Sequence, residues 1–257
     1  AGGFEEKVSA AKKAGVGLVV IGRPVEEGIS LEEGIAYLEE HFALGRSVKN
    51  SGKRQVFLIG TGPGSESYLT GEAKKRLDKC DLIVGASRCV RQLESFHKPV
   101  FEAYQPEKIA DYLDAHPEVQ VICGAMSGDT GFYSGAEAVY KALQEEVRLG
   151  KLQAGITICP GISSLSYLAA RAGKSWQDAK IVSTHGREAD VTACVRREKK
   201  VFLIVSGRSD LIRIGEELEA AGLSGVELTI GYQLSYREER IWHGTPEVCR
   251  TLKDDGL

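Results

Sequence analysis

The chain has 257 residues, enough for two ordinary domains or one large one. It is 42% hydrophobic and 27% charged, the balance of a globular chain rather than a disordered one, and its net charge of -3 argues against a generic nucleic-acid binder. No apolar run approaches the length of a membrane span, and no signal peptide is visible.

Residues 4–14, "FEEKVSAAKKA", carry apolar positions at helical spacing. "VGLVVIG" (16–22) reads as a strand. "SLEEGIAYLEEHFAL" (30–44) reads as a helix with a capping box of Ser30 and Glu33. "GRSVKNSGKR" (45–54) is polar and basic and reads as a linker. From Gln55 strands and helices alternate. Strands are predicted at 55–60, 81–85, 119–124 and 156–159, and helices at 70–79, 87–94, 106–115 and 134–147. Such alternation predicts an α/β fold with a parallel sheet, and its uninterrupted apolar runs suit strands covered on both faces. Pro160 and Gly161 break the pattern. Beyond them come helices at 163–173 and 209–221, and strands at 180–184, 200–205, 227–232 and 239–244. This predicts a second α/β domain with a mixed sheet, and an interdomain cleft. The domain limits are then 1–44, a linker 45–54, 55–160 and 161–257.

The six cysteines, at 80, 89, 123, 159, 194 and 249, show neither C-x-x-C nor zinc-site spacing. They read as buried, reduced thiols of a cytoplasmic protein.

In "VFLIGTGPGSESYLTGEA" (56–73) a strand runs through Gly60, Gly62, Pro63 and Gly64 into a helix. The dinucleotide fingerprint needs Gly at the sixth position, where Ser65 stands. It also needs an acidic residue ending the next strand, which reads "DLIVGASR". A phosphate-binding P-loop would need Gly-Lys-Ser/Thr, which is absent. By geometry alone the segment is a tight strand–helix connection.

Its company decides. "GTGPGSESYLT", "SGDTGFYSG" (127–135), "CPGISSLSYLAARAG" (159–173) and "STHGR" (183–187) follow in order, each just after a predicted strand. Together they resemble the tetrapyrrole methylases, two-domain enzymes of corrin and siroheme synthesis, from Gln55 to the end. "SWQDAKIVSTHGR" and "GYQLSYREERIWHGT" look most like the cobalt-precorrin-7 (precorrin-6Y) C5-methyltransferases. The opening "AGGFEEKVSAAKKAGVGLVVIGRP" looks like the end of a cobalt-precorrin-6A reductase. With Ala rather than Met first, an excised piece of a reductase–methylase fusion is expected, its final strand cut short.

The resemblance implies S-adenosylmethionine as methyl donor, folded in the cleft against backbone groups, and a tetrapyrrole (precorrin) as substrate. It implies no metal of the chain's own, no nucleic acid and no membrane. The assemblies it implies are a homodimer and a decarboxylating C15-methyltransferase partner. Donor contacts carry over to Pro63, to Ser127, Gly128, Asp129 and Phe132, and to Ser163, Ser164, Ser206 and Tyr236. Gly62, Gly64, Arg88, His185 and Arg187 carry over to the substrate. No catalytic side chain is named, because the sulfonium already activates the methyl group.

Each residue has a plainer reading. Asp129 could cap the helix starting near Ser134, and Ser163 and Ser164 could cap theirs. His185 could be a structural hydrogen bonder. Arg88, Arg91, Arg187 and Arg237 could be solvated charges, although an arginine fork suits the substrate's carboxylates. Thr130 departs from the proline usual after the loop aspartate. An NAD(P)H-linked reductase fragment and a non-catalytic tetrapyrrole-binding protein are the alternative functions.

Overall fold

The structure, a computed structural model, describes residues 3–16, 30, 34, 53–184 and 189–252. All but Val16 of the strand expected at 16–22, all but Ser30 and Gly34 of the helix at 30–44, and His185 and Arg187 lie outside the described residues. The chain divides into two compact units, 1–51 and 52–257.

Of the first unit, helix α1 (Phe4–Ala14) is described. Glu5 and Glu6 sit in its first turn and Lys12 and Lys13 in its last, matching the helix dipole. Gly15, at φ 65°, ends it in the left-handed conformation that glycine adopts without penalty.

The second unit begins with five strands: β1 (Arg54–Gly60), β2 (Leu82–Gly85), β3 (Val100–Glu102), β4 (Val121–Met126) and β5 (Ala154–Cys159). They form one sheet in the order β3-β2-β4-β1-β5, and every pairing is parallel. Alternate residues of the central strands feed two cores. Val56, Leu58, Leu82, Val84 and Ile122 face helices α4 (Pro106–Ala115) and α5 (Ala136–Arg148), through Leu113 and Leu143 among others. Phe57, Ile59, Ile83, Cys123 and Cys159 face α2 (Gly71–Lys79) and α3 (Ser87–Arg91), through Leu77 and Val90. Burial on both faces explains the uninterrupted apolar runs, and each fully buried Leu or Ile contributes ~1.5–3 kcal/mol. Five of the cysteines are buried and Cys194 is half-buried. All six are free thiols.

The strand order fixes where a ligand fits. The chain leaves β1 toward α2 on one face of the sheet, and leaves the adjacent β4 toward α5 on the other. The connections therefore part at the carboxyl ends of β1 and β4, which opens a crevice there.

The rest of this unit holds α6 (Ser164–Arg171), β6 (Lys180–Ser183), α7 (Val191–Arg197), β7 (Val201–Ile204), α8 (Arg208–Ala220), β8 (Leu228–Tyr232), β9 (Arg240–Gly244) and α9 (Val248–Thr251). The parallel and antiparallel pairings of the expected mixed sheet are both present. Two separate ladders carry them, β6-β7 parallel and β8-β9 antiparallel. Among the described residues no helix is long and apolar enough to cross a membrane.

Candidate functional site

At the carboxyl end of β1 the chain is sewn to the loop after β4. The buried Thr61 donates to the Met126 carbonyl from its backbone N–H (2.8 Å) and from its hydroxyl (3.1 Å). The Gly62 N–H donates to the Gly128 carbonyl at 3.1 Å. The turn after β5 joins them. A Cβ on Gly161 would lie 2.2 Å from the Gly128 oxygen, and one on Gly60 would lie 2.6 Å from that oxygen and from the Gly161 nitrogen. Three loops thus meet backbone against backbone, which only glycine permits.

Asp129 completes this junction. Its Oδ1 accepts from the Gly131 N–H at 2.9 Å and its Oδ2 from the Gly161 N–H at 3.0 Å. It does not cap α5, whose N-cap position is Gly135. Asp129→Ala is expected to cost about 1.5–3 kcal/mol of stability, the worth of charge-assisted hydrogen bonds. Asp129→Asn, which keeps one acceptor, should cost less. Urea midpoints decide it, and equal losses in the two variants would rule out the tie as the cause.

Above the junction opens a cavity of about 1070 Å³. From the segments after β1, β2 and β4, Gly62, Pro63, Arg88, Ser127, Gly128 and Phe132 line it. Ser164 borders it from α6, and Ser206 and Tyr236 border it from the second half. Three expected residues stand back from it. Asp129 is held in the junction, and Ser163 is buried as the N-cap of α6, accepting from the Ser166 N–H at 3.0 Å. Gly64 lies beneath the Tyr236 ring, where a Cβ would come within 2.2 Å of Cε2. Arg91 lines the cavity, whereas Arg237 is exposed and does not.

The walls are mostly uncharged: backbone, serine hydroxyls, Phe132, Ile204 and Val205. The Arg88 guanidinium donates to the Ser127 hydroxyl at 3.0 Å, and Arg91 Nε to the Ser87 carbonyl at 3.2 Å. Among the described residues neither guanidinium has a carboxylate within ion-pairing distance. They form a cationic margin, with Glu238 as an acidic group on the same lining.

Three supporting residues escaped the sequence reading. Asp210, at the start of α8, accepts from the Ser206 N–H at 3.0 Å and from the Thr184 hydroxyl at 3.3 Å. The Ser206 backbone bond, then Arg213, hold its carboxyl below the usual carboxylate range despite partial burial. Its place in the first turn of a helix after a strand and Ser-Gly was a usable signal. Gln92 lines the cavity and bonds the Tyr236 hydroxyl, and Glu239 braces the segment that carries Tyr236. Neither has a local sequence signal.

The chain is similar to several known proteins. It is 29% identical over 191 residues to the cobalt-precorrin-7 C(5)-methyltransferase of Salmonella typhimurium, covering 72% of this chain and 87% of that one. Its fold is similar to that of a solved cobalt precorrin-4 methyltransferase, with TM-score 0.63 and 21% identity over 77% of this chain and 87% of the other. It is also similar to the uroporphyrin-III C-methyl transferase of Thermus thermophilus solved with S-adenosyl homocysteine, with TM-score 0.59 and 20% identity over 77% and 86% of the two chains. The sequence pattern of the Tetrapyrrole (Corrin/Porphyrin) Methylases matches residues 55–248, so the chain belongs to that family.

Proposed function

We propose that residues 55–257 form an S-adenosylmethionine-dependent C-methyltransferase of corrin synthesis that methylates C5 of cobalt-precorrin-7 or precorrin-6Y. One observation carries the reading. Pro63, the 127–132 loop and Ser164 converge on one large cavity at the carboxyl ends of adjacent parallel strands, in a chain of the tetrapyrrole methylase family. The choice of C5 rests on the likeness to the Salmonella typhimurium enzyme.

The cavity suits such a donor chemically. Serine hydroxyls and backbone groups can pair with ribose and amino-acid groups, and Ile204 and Val205 give an aromatic base an apolar wall. S-adenosylmethionine supplies an already activated methyl group. The chain's own work is then to hold the receiving ring carbon in line at ~3–3.5 Å and to exclude water. Arg88 and Arg91 are placed to receive the acetate and propionate carboxylates of the substrate.

The test is conversion of cobalt-precorrin-7 with S-adenosylmethionine, followed by mass spectrometry and carbon NMR. A gain of one methylene mass with the new methyl on C5 supports the reading. A methyl at another ring carbon would overturn the regiochemistry, and NADPH consumption in a parallel assay with a precorrin-6A substrate, without methyl transfer in the first, would favour the reductase alternative.

We assign residues 1–44 to a separate, reductase-derived segment. The family match starts at residue 55, and 1–51 cluster as a unit of their own. Deleting 1–51 is expected to leave affinity for S-adenosylhomocysteine within about twofold, as for domains joined by a linker. Calorimetry showing lost binding would make the segment part of the methylase.

A further inference from the structure

The segment after β8 turns through two non-glycine residues in left-handed backbone, Gln233 at φ 42° and Ser235 at φ 68°. Such residues need surroundings that over-determine them. The same segment gives the cavity Tyr232, Gln233, Leu234 and Tyr236, a whole wall. Three sets of side-chain bonds pin it. Ser235 Oγ accepts from the Ser65 N–H at 2.7 Å, across 170 residues of sequence. The Tyr236 hydroxyl is bonded to the Gln92 amide. Glu239 gathers the third set. Its Oε2 accepts from the Ser235 N–H and the Tyr167 hydroxyl, both at 2.5 Å, and its Oε1 from Arg171 at 2.9 Å.

The Glu239 side chain is only 14% exposed. Burial pushes its carboxyl up, but the bonds from Tyr167, the Ser235 N–H and Arg171 outweigh this and hold it below the usual carboxylate range. It is therefore ionised at neutral pH and accepts from all three groups. Tyr167 packs edge-on against Tyr68, with centroids 4.9 Å apart, so the brace reaches the segment just past the Gly62–Gly64 turn.

We infer that Glu239 is a positioning residue for ligand recognition: it holds Ser235 in the left-handed turn, so that Tyr232, Leu234 and Tyr236 form the wall against which the molecule bound in the cavity rests. The inference rests on the reading of the cavity as a donor site.

The test uses the full chain and the variants Glu239→Ala and Glu239→Gln. Hydrogen exchange at the amides of 233–236 is followed without ligand, and calorimetry measures S-adenosylhomocysteine. Glu239→Ala should speed exchange there and weaken binding about tenfold, the loss expected for charge-assisted bonds. Glu239→Gln, which keeps an acceptor for the Ser235 N–H, should restore most of both. In turnover the loss should fall on KM for the donor rather than on kcat. Unchanged exchange in Glu239→Ala would overturn the inference. So would equal losses of affinity and denaturation midpoint in both variants, which would mark a merely structural role. If the unaltered chain bound no S-adenosylhomocysteine, the donor-site reading would fail, and the exchange data alone would decide whether Glu239 holds the turn.

Discussion

Gly161→Ala is expected to be the most damaging small substitution among the described residues. The new methyl would stand 2.2 Å from the Gly128 oxygen and 2.9 Å from the backbone of Gly60. These are main-chain atoms at the ends of paired strands, so no side chain can swing away. Overpacking normally costs ~1–3 kcal/mol, and a backbone clash belongs at or beyond the upper end. The junction must spread, which also pulls Asp129 from the Gly161 N–H. We expect a loss of about 3 kcal/mol or more and no measurable donor binding. Gly155→Ala is the control. That glycine lies in the edge strand β5 with nothing within 4 Å of its Cβ position, and its replacement should stay within about 0.5 kcal/mol. Denaturation midpoints that fail to separate the two variants would remove the close-contact account of the junction.

The second large effect is expected at the cationic margin. Arg88→Glu should weaken precorrin binding by about 1.5–3 kcal/mol, roughly tenfold to a hundredfold in KM, because a forked bond to a carboxylate becomes a repulsion. Affinity for S-adenosylhomocysteine should change far less, since Arg88 meets the donor's expected segment only through Ser127. Arg88→Lys keeps the charge without the fork and should fall between. Added salt should reduce the difference between the unaltered chain and Arg88→Glu, because exposed charges are screened. An unchanged KM for the tetrapyrrole in Arg88→Glu would leave this arginine with only its Ser127 bond.

Much of this was legible in the sequence because it depends on local pattern. The strand–loop–helix alternation placed the parallel sheet. The glycine turns after strands placed the cavity, because loops after parallel strands share one end of the sheet. The missed elements lack local signal. β3 has three residues, two of them exposed, and α7 reads "VTACVRR", with β-branched residues that disfavour a helix. There the Asp190 cap, accepting from the Ala193 N–H at 2.8 Å, was the available clue. What could not be read were partners distant in sequence. Asp129 looked like a ligand contact or a helix cap, and its second partner is 32 residues away. Glu239 sits in "YREER", at the start of the strand expected at 239–244, and its partner Tyr167 is 72 residues away.

The Ser65–Ser235 bond carries a consequence for synthesis and turnover. It joins the first turn after β1 to a loop 170 residues later, and Tyr236 and Glu239 close the same wall. The five-stranded sheet can assemble from residues 54–159 while later residues are still being made. The cavity cannot, because its last wall comes after residue 230. An interrupted chain would thus hold a folded sheet yet offer no complete site. A ligand that fills the cavity would stabilise only finished molecules, adding its binding free energy to the native state alone. In a cell, that would sort complete copies from incomplete ones by their lifetime against proteases.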